Sequence, residues 1–123
     1  MDNVDKLRLK MNEQNVDLID LSPGANLNWL LGVNPHGDER PLLFFLTLSS
    51  SAFLMPELEA KSARQNTDIE FYNWSDESGP QKTIDKILAD LKGYSFTTIV
   101  IDDTMRADHA ALIQDKLFNL NRL

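Results

Sequence analysis

A short polar loop between two apolar runs holds the residues of this sequence that are best suited to chemistry. His36, Asp38, Glu39 and Arg40 lie close together, after a stretch that ends in "LLG" and before the run "PLLFFLTL". A linker needs only turn-forming residues, whereas this one combines an imidazole, two carboxylates and a guanidinium. Because binding groups collect on loops that rigid elements hold in place, the loop over residues 33–41 is a candidate binding element.

A second candidate is the acidic pair Asp102-Asp103, which follows the last predicted strand. Ligands of open α/β sheets bind at the carboxyl ends of strands, and paired carboxylates there hold Mg²⁺ in response-regulator receivers. Receivers, however, place their acidic pair after the first strand. A turn before a helix N-terminus, which favours negative charge, is therefore the preferred interpretation. A stand-alone α/β binding or signalling module that uses this pair stays open as an alternative.

The remaining reactive and aromatic side chains give weaker signals. His109 falls in the first turns of the last predicted helix, where we expect it to face solvent. Trp29 lies on the apolar face of a short predicted helix, which favours core or interface packing over ligand stacking. The sequence contains neither a glycine-rich phosphate loop nor a G-x-S-x-G elbow, and its two histidines do not form a metal-binding pair. These absences weigh against catalysis by this chain alone.

Composition narrows the classes of partner. The chain has 123 residues, a net charge of −7 and no cysteine, which suits one acidic domain without disulfides or zinc–thiolate sites. Without a basic stripe, nucleic acid is not an expected partner. The start "MDNVDKLRLK" is not a signal peptide, and the longest apolar run is too short to span a bilayer. We therefore expect a cytoplasmic protein with no membrane partner.

The elements that must position these residues alternate between helix and strand. Apolar periodicity and breakers predict helices over about 2–14, 23–31, 56–66, 80–92 and 105–119, and strands over about 16–21, 42–48, 52–55, 69–74 and 96–101. This order predicts an α/β domain: a mixed, mostly parallel sheet with one β-hairpin and helices on both faces. Ser22 is the expected N-cap of the second helix and Gly32 its expected stop.

Four blocks in order, "PGANLNWLLG", "RPLLFFL", "MPELEAKSA" and "IVIDD", resemble the N-terminal domain of the creatinase/prolidase family. That family includes the Xaa-Pro dipeptidases and aminopeptidases of the pita-bread metallopeptidase group. Its pattern reads approximately Asn-x-x-Tyr-Leu-Thr-Gly, a loop, a buried strand, a Pro-x-x-Glu-x-x-x-Ala helix and a late acidic strand end. The matching residues here are Asn26, Leu30, Gly32, Pro56, Glu59, Ala63, Asp102 and Asp103. Trp29 and Leu31 replace the usual Tyr and Thr.

The resemblance covers essentially the whole chain, so residues 1–123 form one domain of this type, with a ribonuclease H-like fold. It implies that catalysis occurs elsewhere, in a C-terminal domain that this sequence lacks. There, two divalent metal ions, Mn²⁺ or Co²⁺, would be held by a set of Asp, His and Glu residues that has no match here. The chain ends directly after a predicted helix, in agreement with a truncated form of a longer protein.

The resemblance also gives the candidate residues a role. In family dimers the N-terminal domain contributes to the subunit interface, where Trp29 would lie, and its loop approaches the partner's active site. His36, Asp38, Glu39 and Arg40 would then shape access for a proline-containing dipeptide. Arg40 suits a substrate carboxylate, and the acids suit a free α-amino group. The parent is thus expected to be an Xaa-Pro dipeptidase, with a creatine-cleaving or other non-peptidase relative as the alternative.

Overall fold

The computed structural model describes residues 2–33, 35, 39–56, 69–92 and 95–121, with the backbone alone for 115–121. The helices are α1 (Asn3–Gln14), α2 (Ala25–Leu31), α3 (Gln81–Asp90) and α4 (Ala107–Asn121). The strands are β1 (Leu18–Leu21), β2 (Leu43–Thr47), β3 (Ser51–Pro56), β4 (Glu70–Trp74) and β5 (Ile99–Ile101). The helix expected over 56–66 lies outside the described residues.

One five-stranded sheet, in the order β4-β3-β2-β1-β5, forms the centre of the domain. β2 runs antiparallel to both β1 and β3, whereas β1 pairs with β5, and β3 with β4, in parallel. Four strands therefore point one way and β2 alone points the other. The expected mixed, mostly parallel sheet with one β-hairpin is confirmed.

Helices cover both faces of this sheet and divide the core in two. On one face, α1 and α2 contribute Met11, Leu27 and Leu30 to a cluster with side chains of β1, β2 and β3. On the other, α3 and α4 contribute Ile84, Ile87, Leu88 and Ile113. The central strands β1 and β2 are buried along their whole length, which explains their nearly unbroken apolar sequences.

The ends of the first two helices follow local rules, with one exception. Asp2 caps α1 by accepting the Asp5 N–H at 2.8 Å, and Gly32 ends α2 in the left-handed region at φ 72°. The expected N-cap at Ser22 is wrong: α2 begins at Ala25 with Gly24 as its cap. The Ser22 N–H donates to the Asp102 side chain, while its hydroxyl, the group that an N-cap uses, has no hydrogen-bond partner among the described residues.

The short parallel pair of β1 and β5 is fastened at both ends by an aspartate. At the amino end, Asp17 Oδ2 accepts the N–H groups of Thr97 and Thr98 at 2.8 and 3.1 Å. These backbone hydrogen bonds lower the pKa of Asp17. At the carboxyl end, Asp102 makes the corresponding contacts to the residues after β1. A three-residue edge strand thereby gains side-chain hydrogen bonds in addition to its short ladder.

Candidate functional site at the carboxyl edge of the sheet

The candidate site lies at one edge of the sheet. Because β1, β3, β4 and β5 run in the same direction, their carboxyl ends meet there, and the antiparallel β2 begins there. The loop that joins α2 to β2 enters the sheet at this edge. This is the edge at which ligands of open α/β sheets bind, so the topology brings the polar loop to the position expected for a site.

Trp74, at the end of β4, contacts the base of the loop, which consists of residues 39–41. The indole is buried, and its Nε1–H donates to the carbonyl oxygen of Pro41 at 2.8 Å. The guanidinium carbon of Arg40 lies 5.5 Å from the centre of the indole ring, within reach of a cation–π interaction. Arg40 also pairs with Asp76 at 3.3 Å. The last residues of the loop are thus tied to β4 and the turn after it.

His109, on α4, fastens the loop from the other side. Its Nε2 lies 3.0 Å from the carbonyl oxygen of Glu39. A carbonyl oxygen only accepts, so Nε2 carries the proton in this contact. The expectation that His109 faces solvent is wrong, since the residue is only 4% exposed. Its helix packs on the sheet, and the residue lies between that sheet edge and the loop.

The sequence-predicted loop residues fall into two groups. Glu39 and Arg40 are described; Glu39 is exposed and Arg40 is partly buried at the base of the loop. His36 and Asp38 lie outside the described residues. The structure therefore brings Glu39 and Arg40 together with His109 and Trp74, to neither of which sequence reasoning gave a role in the site. A tryptophan at the carboxyl end of a strand, whose N–H needs a partner when buried, was the available signal.

Trp29 lies on the outer side of α2 and is not among the described residues that line the cavity at this edge. Its side chain is 54% exposed, so the core-packing interpretation is excluded in this domain. The Trp29 carbonyl accepts a hydrogen bond from Asn3 Nδ2 at 2.7 Å, which ties this part of α2 to α1. An exposed indole on a fixed backbone is suited to an interface, and that role stays a prediction.

Asp102, directly after β5, links the carboxyl ends of β1 and β5 through side-chain hydrogen bonds. Its Oδ1 accepts from Asn26 Nδ2 and Thr104 Oγ1, both at 3.0 Å, and its Oδ2 accepts from Ser22 N at 3.3 Å. Burial raises the pKa of Asp102, but the hydrogen bonds from Thr104, Asn26 and Ser22 outweigh it and hold that pKa below its ordinary value. With both oxygens used in this way, Asp102 has a structural role, as the turn interpretation expected.

A cavity of about 270 Å³ opens at the same edge between the loop base, β1 and α4. Its polar lining residues are Ser22, Arg40, Thr104, Arg106 and His109. Ser22 is only 5% exposed, and its hydroxyl has no hydrogen-bond partner in the described part of the chain.

Asp20, on β1, is a second buried polar residue whose side chain has no hydrogen-bond partner among the described residues. It lies two positions before Ser22 and is 0% exposed. Neither carboxyl oxygen has a hydrogen-bond partner among the described residues. Desolvation raises the pKa of Asp20 well above its ordinary value, so the side chain is held in its neutral form over a wider pH range than an exposed aspartate.

The described residues offer little for a metal ion or a membrane. Nowhere among them do three or more His, Cys, Asp or Glu side chains come together as ligands. Within the same residues, no helix has the length and apolar character needed to cross a bilayer.

Comparison with known proteins gives a family for this chain and solved structures with the same fold. The profile of the Creatinase/Prolidase N-terminal domain family matches residues 3–121. Among curated proteins, none matches the chain at a significant level. A solved dipeptidase from Pyrococcus horikoshii OT3 is 28% identical with a TM-score of 0.81, over 92% of this chain and 31% of that one.

Two further solved structures show the same fold. A recombinant prolidase from Thermococcus sibiricus is 24% identical with a TM-score of 0.80, over 97% of this chain and 33% of that chain. The Creatinase/Prolidase N-terminal domain of an X-Pro dipeptidase from Streptococcus pyogenes is also 24% identical, with a TM-score of 0.78, over 91% and 85%. The chain thus spans about a third of the dipeptidase and the prolidase, and most of the isolated domain.

Proposed function

Because the chain belongs to the creatinase/prolidase N-terminal domain family, we propose that it is the non-catalytic N-terminal domain of a cytoplasmic Xaa-Pro dipeptidase. In this proposal it presents the loop over residues 33–41 at the entrance of an active site on another domain. It also contributes to a homodimer interface. A relative that is a prolidase and spans three times this length is consistent with a catalytic domain after this one.

The observation that carries the proposal is the fastening of the loop base. Trp74, Asp76 and His109 contact the three consecutive residues Glu39, Arg40 and Pro41 from β4, its following turn and α4. A loop that served only as a linker would not need indole, carboxylate and imidazole contacts at one end. Such contacts fix the direction in which the loop leaves the sheet, which matters for a loop that must reach a site on another domain.

The chemistry of the loop suits a short peptide. The Arg40 guanidinium can pair with a carboxylate through two parallel hydrogen bonds, and its present partner Asp76 is a largely exposed side chain that a substrate could replace. Glu39 is exposed and can attract a free α-amino group. His36 and Asp38 are assigned the same entrance by their place in the sequence. A dipeptide with proline in second position carries both kinds of charge.

The catalytic step is assigned to residues outside this chain. In the proposal, two divalent metal ions, Mn²⁺ or Co²⁺, are bound by the C-terminal domain of the full protein. They would activate a water molecule there, as bound divalent metals do in hydrolases. The residues of this chain would orient the peptide and restrict access. The exposed Trp29 and Val33 would meet the partner subunit or the catalytic domain.

The test compares the full-length parent protein with its Arg40→Ala and His36→Ala variants on several Xaa-Pro dipeptides. We expect KM or the preference among dipeptides to change, because the loop meets substrate, while the melting temperature changes little. Lys82→Ala, an exposed residue of α3, is the matched control. Unchanged kinetics on every dipeptide for both loop variants would refute the role of the loop.

A second measurement tests the division of labour between domains. The 123-residue chain, supplied with Mn²⁺ or Co²⁺, is expected to cleave no Xaa-Pro dipeptide, while the full-length parent does so under the same conditions. Metal-dependent turnover by the short chain would overturn the assignment of catalysis to another domain.

A further inference from the structure

The cavity at the carboxyl edge of the sheet contains a polar group that the proposed function does not use. Ser22 Oγ lies in its wall, buried, with no hydrogen-bond partner among the described residues. Buried hydroxyl groups are almost always hydrogen-bonded, since losing water without a replacement is unfavourable. This cavity therefore has an unmet hydrogen-bond requirement at its wall, and a bound molecule would satisfy it.

The charge of the cavity lining indicates what kind of molecule this is. Arg40 and Arg106 both line the cavity, and no acidic residue is among its described lining residues. This is unusual in a chain whose net charge is −7. The nearby Asp102 keeps its negative charge, which hydrogen bonds from Ser22 N, Asn26 and Thr104 stabilise, so an anion in the cavity needs both arginines to hold it.

The two arginines also have acidic partners, which an anion in the cavity would have to join or displace. Arg106 pairs with Asp108 through Nε and Nη2, but both side chains are more than half exposed. Asp76, an acidic partner of Arg40, is even more exposed. Exposed ion pairs are weak because water screens them. An anion inside the cavity would be less screened and could add to these pairs or replace them.

Size restricts the ligand further. A cavity of about 270 Å³ lies just below the usual range of about 300–1,000 Å³ for pockets that hold drug-sized molecules. It has room for one carboxylate or phosphate group with a short substituent and no room for a nucleotide. Two arginines also exclude a cation.

We propose that this cavity is a binding site for a small oxyanion, a carboxylate or a phosphate group, held by the hydroxyl of Ser22 and the guanidinium groups of Arg40 and Arg106. The anion would link the base of the loop to the start of α4. The site lies within this domain and needs no catalytic domain, so it can be tested on this chain alone, although it shares Arg40 with the proposed function.

The test is a titration of the ¹⁵N-labelled 123-residue chain with sodium phosphate and, separately, with sodium acetate, followed by NMR. Sodium chloride at equal ionic strength is the reference. We expect saturable shifts at the amides of Ser22, Thr104 and Arg106 with at least one of the two oxyanions. Saturation by acetate alone identifies a carboxylate site, and saturation by phosphate alone a phosphate site. Shifts no larger than those in chloride would overturn the proposal.

Variants separate specific binding from general attraction of anions. Ser22→Ala removes a hydroxyl that has no partner among the described residues, so the fold is expected to be retained while the dissociation constant rises several-fold. Arg106→Gln is expected to raise it by about tenfold, the usual effect of losing one hydrogen bond to a charged group. Lys82→Gln makes the same charge change on exposed α3 and is the control. Equal effects of Arg106→Gln and Lys82→Gln would also overturn the proposal.

Discussion

Asp20 is predicted to lower the stability of this domain, and Asp20→Asn to raise it, by an amount that depends on pH. The side chain is fully buried on β1, and neither oxygen has a partner in the described structure. Leaving a buried polar group unsatisfied costs about 1–3 kcal/mol. Ionising the same group there costs more, since desolvation raises its pKa well above the ordinary 3.8.

The sign of the pH dependence follows from this raised pKa. Below pH 3.8 the carboxyl group is protonated in both the folded and the unfolded chain. Its contribution to the free energy of unfolding therefore does not change with pH in that range. Above that pH the unfolded chain loses the proton while the folded chain keeps it. The contribution of Asp20 to the free energy of unfolding then falls with rising pH, by at most about 1.4 kcal/mol per unit, until the folded group also ionises.

The assay is urea unfolding of wild type and Asp20→Asn at a series of pH values from 4 to 8, and the quantity compared is their difference. Asp17 and Asp102, whose pKa values are lowered, act in the opposite direction in both proteins and cancel in this difference. Because an asparagine does not ionise, the variant should be close to wild type at pH 4 and more stable by about 1 kcal/mol or more at pH 7.

The exposed Glu13→Gln variant provides the same carboxyl-to-amide change on α1 and should give no such trend. A difference between Asp20→Asn and wild type that stays constant from pH 4 to 8 would contradict the argument. So would a variant that is less stable than wild type at neutral pH, since Asp20 would then be ionised and stabilised by contacts that this structure lacks.

Three further predictions test other parts of the domain. Asp102→Asn should reduce the free energy of unfolding at pH 7 by about 1–3 kcal/mol, measured with urea. Since the folded pKa of Asp102 is lowered, this difference should shrink as the pH falls below 4. Tyr72 should titrate near 12 in an ultraviolet absorbance titration, because burial and the hydrogen bond to Asp90 raise its pKa to about 12, and a midpoint near 10 would contradict that contact. Trp74→Phe keeps an aromatic ring but loses the 2.8 Å hydrogen bond to the Pro41 carbonyl. The variant should therefore have a lower melting temperature and a shifted Pro41 carbonyl resonance. An unshifted resonance would contradict this hydrogen bond.

The parts of the fold that local sequence determines were predictable. The stripe of Ile84, Ile87 and Leu88 places α3 correctly, and Gly32 ends α2 as expected. The short spacing between two apolar runs gives the β2–β3 hairpin. In each case the residues that decide the structure lie within a few positions of one another, so periodicity and capping are sufficient.

The parts that failed depend on contacts between distant residues. Ser22 has the type of a helix N-cap, but the helix begins three residues later, and the Ser22 backbone is held by Asp102, which lies 80 positions further along the chain. His109 has the position of an exposed helix residue, but its partner Glu39 precedes it by 70 positions. No local pattern contains such information, and in both cases the sheet brings the two residues to the same edge.

The two ends of the β1–β5 pair differ in a way that separates stability from function. At the amino end, Asp17 lies at the surface and accepts three hydrogen bonds from Thr97 and Thr98, which stabilise its ionised carboxylate. Towards the carboxyl end, the buried oxygens of Asp20 and Ser22 remain without partners in the described structure. Unsatisfied buried groups are costly and the surrounding core is apolar, so apolar residues at these two positions would stabilise the domain more. Since Ser22 lines the cavity together with two arginines, we expect the cost at this end of the strand pair to fall when the cavity is occupied.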